Sequence, residues 1–201
     1  MRLCAKPEPK PMKDDQHLIE TGIASERVFD GALLHINRDT VRLPDDSTAT
    51  REYIQHPGAV MVIPVMDDGR LLMERQFRYP FKRVFLEFPA GKLDPNEDPL
   101  TCGKRELLEE TGYTARHWRK LGVLHPIISY TSEEIHIFLA QGLESGKAQL
   151  DEGEFLELVI KDQAELIAGI LDGSVTDGKT VAGAFWLEQL IKAGELQGEG
   201  H

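Results

Sequence analysis

Residues 58–65, GAVMVIPV, form an unbroken apolar run bounded by polar sequence. Side chains of a strand point alternately to its two faces, so a strand with no polar face has to be covered on both. The run therefore suits a buried central strand. The DDG turn at 67–69 leads into RLLMERQFRY, 70–79, so the two segments read as a hairpin. VFLEF, 84–88, is a further strand candidate, as are 114–123 and 134–140. A polar loop, 143–154, precedes a final strand, FLELVI, 155–160. AELIAGILDG, 164–173, and VAGAFWLEQLIKAG, 181–194, have apolar residues at helical spacing. These elements define a mixed α/β body.

Upstream, short β-like runs at 26–36, 39–43 and 50–55 are punctuated by the turn LPDDST, 43–48. Three short strands bury little alone, so this meander must pack on the body or on a second subunit. The turn-forming pair Pro57–Gly58 is the junction. The expected organisation is a mobile arm at 1–17, rich in Pro, Lys and Asp, a β-meander at 18–57, the body at 58–195, and a flexible tail at 196–201.

Of the 201 residues, 23 are Lys or Arg and 34 are Asp or Glu, a net charge of −11. So acidic a chain is a poor match for nucleic acid or an anionic membrane, although a local basic pocket can still hold a small phosphorylated ligand. No apolar run approaches the roughly 20 residues that span a bilayer, and the N-terminus lacks the apolar core of a signal peptide. A cytoplasmic location is expected. Cys4 and Cys102 are too few for a disulfide framework or a cysteine-based zinc site.

The chemistry is concentrated in GKLDPNEDPLTCGKRELLEETGY, 91–113. Asp98 can cap a helix, Pro99 suits its first position, and Gly112 its left-handed stop. Leu100, Cys102, Gly103, Leu107 and Leu108 give the predicted helix an apolar side. Glu106, Glu109 and Glu110, three and four residues apart, share the opposite face. Carboxylates at about 6 Å and an effective dielectric near 20 repel by roughly 2 to 3 kcal/mol per pair. A divalent cation relieves that repulsion, and oxygen donors suit Mg²⁺ or Mn²⁺. The plainer alternative is a solvated acidic face with Arg105 paired to Glu109.

The surrounding spacing favours the metal. Gly91, Glu97, Arg105, Glu106, Glu109, Glu110 and Gly112 resemble the Nudix box, GX5EX7REUXEEXGU, at each fixed position, a match that arises by chance roughly once in a million. Tyr113 meets the last apolar position loosely. The resemblance implies a Nudix hydrolase, with an α/β/α sandwich around a mixed sheet, that cleaves a nucleoside diphosphate linked to another group. By the family pattern, Glu106, Glu109 and Glu110 ligate metal together with the Ala90 carbonyl, while Glu97 and Arg105 hold the loop–helix geometry. Water attacks a phosphorus once divalent ions neutralise the pyrophosphate oxygens and activate it.

The resemblance extends over roughly 20–190 and, through ATREYIQHPGAVMVIPV, RQFRYP and LEFPAGKLDPNEDP, is closest to the ADP-ribose pyrophosphatase group. That group exchanges its N-terminal strands across a homodimer. The likeness implies that Arg51 and Glu52 reach the adenine side from the partner subunit and that Arg78 grips the diphosphate, a task suited to a forked cation. Lys92 and Glu133 are further substrate contacts, the latter beside Glu134. In the loop DEGEF, 151–155, Glu154 is the nearest counterpart of a carboxylate that orients or deprotonates water and joins the metal site, with Glu152 next. ADP-ribose is the expected substrate; Ile128 stands where ADP-ribose enzymes usually carry proline, a departure that keeps other ADP- or GDP-sugars and diadenosine polyphosphates as alternatives. Cys102 reads as a small core filler.

Overall fold

In a computed structural model of the chain, the described residues are 15–148, 150, 153 and 155–196. Among them run β1 (Thr21–Asp30), β2 (His35–Arg42), β3 (Thr48–Gln55), β4 (Ala59–Val65), β5 (Leu71–Arg78), β6 (Arg83–Glu87), β7 (Ala90–Lys92), α1 (Pro99–Thr111), β8 (Tyr113–Leu124), β9 (Ile135–Ser145), β10 (Leu156–Lys161), α2 (Gln163–Asp172) and α3 (Gly178–Lys192). Most of the expected arm and tail lies outside the described residues; Asp15–Leu18 form one 3-10 turn ahead of β1.

The apolar run is β4, buried at every position and central in the order β10-β5-β4-β9-β8. Met61, Ile63 and Val65 pack toward Leu166 of α2 and Ala184, Leu187 and Leu190 of α3. Val60 and Val62 pack the other way, with Phe138, onto Cys102 and Leu107 of α1. The period of two thus splits one strand between two cores, and the fold is the expected α/β/α sandwich. Its sheet is mixed, because β4 runs parallel to β9 and antiparallel to β5 and β7.

The predicted hairpin closes only at its base. β4 and β5 pair at Val65 and Leu71; further along, β6 lies beside Glu74–Arg78 and β7 beside Ala59–Met61. The splayed strands make room for 83–92, the segment that delivers Ala90 and Gly91 to α1. β7 itself was not expected: three residues, AGK, carry no periodicity.

α1 begins and ends where its capping residues predict. Asp98 accepts from the Leu100 and Thr101 N–H groups, and Gly112 adopts φ 74° while donating to the Leu108 carbonyl. The division of its faces differs from expectation. Glu110 is buried with Cys102, Gly103, Leu107 and Thr111, whereas Leu108 is 38 % exposed. The buried stripe follows 103, 107 and 110, so the acids flank the inward face rather than oppose it.

The N-terminal strands form a separate antiparallel sheet, β1-β2-β3. The run 26–36 is not one strand: Gly31 donates to the Leu34 carbonyl and turns β1 into β2, and 39–43 continues β2. Apolar Leu33 and Leu34 conceal that turn in the sequence. All ten residues of β1 are exposed. β3 joins the body where Ile54 exchanges backbone hydrogen bonds with Tyr130 and Ser132. At the other end, β9 runs on to Ser145 because Leu143 and Ser145 pair with Ala115 and Tyr113, which shortens the expected 143–154 loop.

Gly112 is required twice over, since a Cβ there would lie 2.6 Å from the Ala148 nitrogen in addition to the left-handed φ. Gly112→Ala should destabilise the protein by more than about 2 kcal/mol, the left-handed conformation alone costing about 1 to 2. Urea unfolding measures this, and a loss below about 0.5 kcal/mol would mean that the 147–148 backbone gives way.

Candidate active site

The loop before α1 and the helix itself close on one guanidinium. Arg105 donates Nε–H to Glu97 Oε1 at 3.0 Å and Nη2–H to Glu97 Oε2 at 2.9 Å, the forked pairing that suits arginine. Its Nη1 reaches Glu106 at 2.8 Å and Glu109 at 2.9 Å. A further bond, Nη2 to the Lys92 carbonyl at 3.2 Å, ties in β7. The guanidinium beside it holds the Glu97 carboxyl down at about 2, helped by the Asp94 N–H, and Arg105 itself is shifted upward.

Glu110 is 4 % exposed, and its Oε2 accepts from the Ala90 N–H at 3.1 Å. This bond draws the residue whose carbonyl was expected as a ligand onto the helix. Gly91 follows, and a Cβ there would sit 1.9 Å from the Glu106 carboxyl carbon. The glycine is what lets the Glu106 carboxylate lie against the loop backbone. Burial, with the nearby charges of Glu97 and Glu106, pushes the Cys102 thiol up to about 12, so it is inert filler.

The pairing of Arg105 with Glu109 belongs to the plainer alternative, and Glu109 is 35 % exposed, yet Glu106 at 13 % and the buried Glu110 show that the face is solvated only at its edge. Among the described residues no three acidic, histidine or cysteine side chains converge as a metal cluster, the acids being drawn to Arg105 and to the Ala90 N–H. In kind, the three carboxylates and the Ala90 carbonyl are the hard oxygen donors that a divalent cation takes. In space, Gly91 lets the Glu106 carboxylate lie against the backbone that carries the Ala90 carbonyl. The donor set fits.

Other expected residues stand apart from this cluster. Arg51 pairs with Glu20 and Glu52 with Arg38 at 2.9 Å, all within or beside the three-stranded sheet. Glu133 Oε1 lies 3.8 Å from His56 Nε2, and Glu134 faces His125 at 3.3 Å. The Lys92 side chain is exposed. Glu152 and Glu154 lie outside the described residues. Arg78 donates Nε–H and Nη2–H to the two oxygens of Glu87, each at 2.7 Å. Glu87 is 2 % exposed and also receives Lys179, itself held by Asp177 at 2.9 Å. Sequence reasoning missed this group; its one local signal is an acid inside the apolar run VFLEF. A separate cavity of about 240 Å³, lined by Met66, Asp67, Arg116, His117, Gln141 and Leu187, includes none of the expected residues.

The layered fold and the acid-bearing loop–helix together define a Nudix-type domain. The family model described as NUDIX domain matches residues 55–178, and the nucleoside diphosphate sugar hydrolase N-terminal domain matches 20–54. An ADP-ribose pyrophosphatase of Bacillus subtilis strain 168 is 37 % identical over 85 % of this chain and 94 % of its own length. A methanol dehydrogenase activator of Bacillus methanolicus is 36 % identical over 84 % of this chain and 92 % of its own. The crystal structure of an ADP compounds hydrolase superposes with a TM-score of 0.78 at 26 % identity, covering 88 % of this chain and 97 % of that one. The chain belongs to the Nudix hydrolase family.

Two outcomes are expected. Gly91→Ala should leave the melting temperature within about 3 °C but lower kcat about a hundredfold, as a displaced carboxylate does; an unchanged kcat would separate Glu106 from the chemistry. Because the Glu97 pKa is depressed from 4.5 to about 2, its stabilisation is complete above the higher value and is lost as pH falls through the lower. Glu97→Gln should therefore flatten the stability profile between those limits, which acid titration followed by circular dichroism would reveal.

Proposed function

We propose that the chain is a Mg²⁺-dependent pyrophosphatase that hydrolyses ADP-ribose to AMP and ribose 5-phosphate. The observation that carries this reading is the loop–helix acid cluster, with Glu106 and Glu110 set against Gly91 and Ala90. The ADP-ribose pyrophosphatase among the relatives supports the substrate.

Glu106, Glu109, Glu110 and the Ala90 carbonyl would hold the metal, with Glu154 as a further candidate ligand. A divalent ion held there would supply charge neutralisation of the pyrophosphate oxygens and activation of the attacking water. Arg105 works through the acids: it fixes Glu106 and Glu109 and fastens them to the loop through Glu97. Arg78 would bind the diphosphate, with Lys92 and Glu133 as further substrate contacts. Glu154, or Glu152, would orient or deprotonate the water.

The protein would act as a homodimer, with Arg51 and Glu52 offered to the partner's substrate. The fully exposed β1, with Phe29 at 52 % and Ile23 at 50 %, supports such an interface. The arm, meander, body and tail divide the chain at 17, 57 and 195, and the meander would serve the dimer.

Incubation with ADP-ribose and Mg²⁺ should release AMP and ribose 5-phosphate, and chelation should stop it. Absence of both products while GDP-mannose or a diadenosine polyphosphate is cleaved would reassign the substrate. Glu110→Gln, which retains an acceptor for Ala90, should cut kcat at least about a hundredfold with little change in melting temperature. Gel filtration should give twice the 22.6 kDa monomer mass, and elution as monomer would remove the cross-subunit roles.

A further inference from the structure

We propose that Lys179 is a positioning residue for substrate binding: by pinning the Glu87 carboxylate it fixes the orientation in which Arg78 meets the diphosphate. The inference rests on the role proposed above for Arg78.

Arg78 is two-sided. Its Nε edge is fastened to both oxygens of Glu87 at 2.7 Å, while the side chain remains 40 % exposed. A forked pair makes the guanidinium plane follow the carboxylate plane. Whatever sets Glu87 therefore sets the Nη1 edge, which makes no side-chain hydrogen bond among the described residues and through which a phosphate would be held.

Glu87 is set by the first turn of α3. Its Oε2 receives Lys179, whose side chain is 13 % exposed and whose ammonium also donates to Asp177 Oδ2 at 2.9 Å. Asp177 is the N-cap of α3 and accepts from the Thr180 N–H at 3.0 Å. The fully buried Thr180 hydroxyl in turn accepts the N–H of Phe88, the residue after Glu87, at 3.1 Å. Helix cap, lysine, carboxylate and arginine form one continuous linkage.

A buried carboxylate needs a cation, and Arg78 already supplies one with two bonds. Glu74 lies directly opposite Glu87 in the β5–β6 ladder and is fully buried, so the pocket holds two acids beside Arg78. With Lys179 gone, Arg78 faces both acids alone, and its guanidinium can turn from Glu87 toward Glu74. Lys179 lies one residue beyond the span matched by the NUDIX model, whereas Arg78, Glu87 and Asp177 lie within it.

The test is steady-state kinetics with ADP-ribose and Mg²⁺ on full-length variants. Lys179→Met should raise KM about tenfold while kcat falls less than about threefold, because the interaction is shared by ground and transition states. Lys179→Arg should restore KM to within about threefold of the parent. Arg78→Lys should also raise KM, and adding Lys179→Met to it should change KM less than about twofold. Should Lys179→Met not fold, Asp177→Asn keeps a good cap but loosens Lys179, and should raise KM about threefold.

An unchanged KM in Lys179→Met or Asp177→Asn, with Arg78→Lys still raising it, overturns the inference alone. Multiplicative effects in the double variant overturn it too, since Lys179 would then act independently of Arg78. An unchanged KM in Arg78→Lys overturns the role of Arg78 and the inference together.

Discussion

Arg105 is the charge around which the loop and helix close. Glu97 comes from the loop, Glu106 and Glu109 from the helix, and all three reach the same guanidinium. Carboxylates brought this near would repel by roughly 2 to 3 kcal/mol per pair at an effective dielectric near 20. One always-charged, five-donor side chain turns that repulsion into cohesion, and its bond to the Lys92 carbonyl extends the grip to the backbone. Lysine would offer a point charge without the fork that fastens Glu97. On the other flank, Glu110 accepts from the Ala90 N–H, so Glu110 and Arg105 hold opposite ends of the same short strand.

Local signals in the sequence were strong where the structure is locally determined. Asp98, Pro99 and Gly112 mark the ends of α1 because caps are made by the residues beside them. The unbroken apolar run marks β4 because two covered faces leave no polar position. The spacing from Gly91 to Gly112 exposes the acid cluster because the helix repeat fixes which side chains are neighbours. What stayed hidden depends on distant partners. β4 and β5 separate because 83–92 comes between them, which neither strand records. Leu108 points outward, and Glu110 inward, because Ala90 is there to receive the acid. The Glu87 linkage unites residues more than 90 positions apart in the chain.

The N-terminal sheet has a different status from the body. Its β1–β2 ladder shifts register between Gly22 and Ala24 and again between Arg27 and Phe29, and β1 leaves Ile23, Val28 and Phe29 in the open. A three-stranded sheet gains stability by covering one face. Its attachment at Ile54 and His56 ties it to the loop after β8, the same loop that carries Glu133. Whatever settles on this sheet is therefore linked through backbone to the neighbourhood of a residue proposed to touch substrate.

The parallel pairing of β4 with β9 also bears on how the chain is made. Ala59–Val65, buried at every position once folded, leaves the ribosome before its partner at 135–141 has been synthesised. Until then the nascent polypeptide presents its stickiest segment with only the short β7 strand and the base of β5 beside it. Parallel pairing of distant strands is slow because the long intervening chain has to be ordered first, and translation itself sets the earliest moment at which this pairing can be completed.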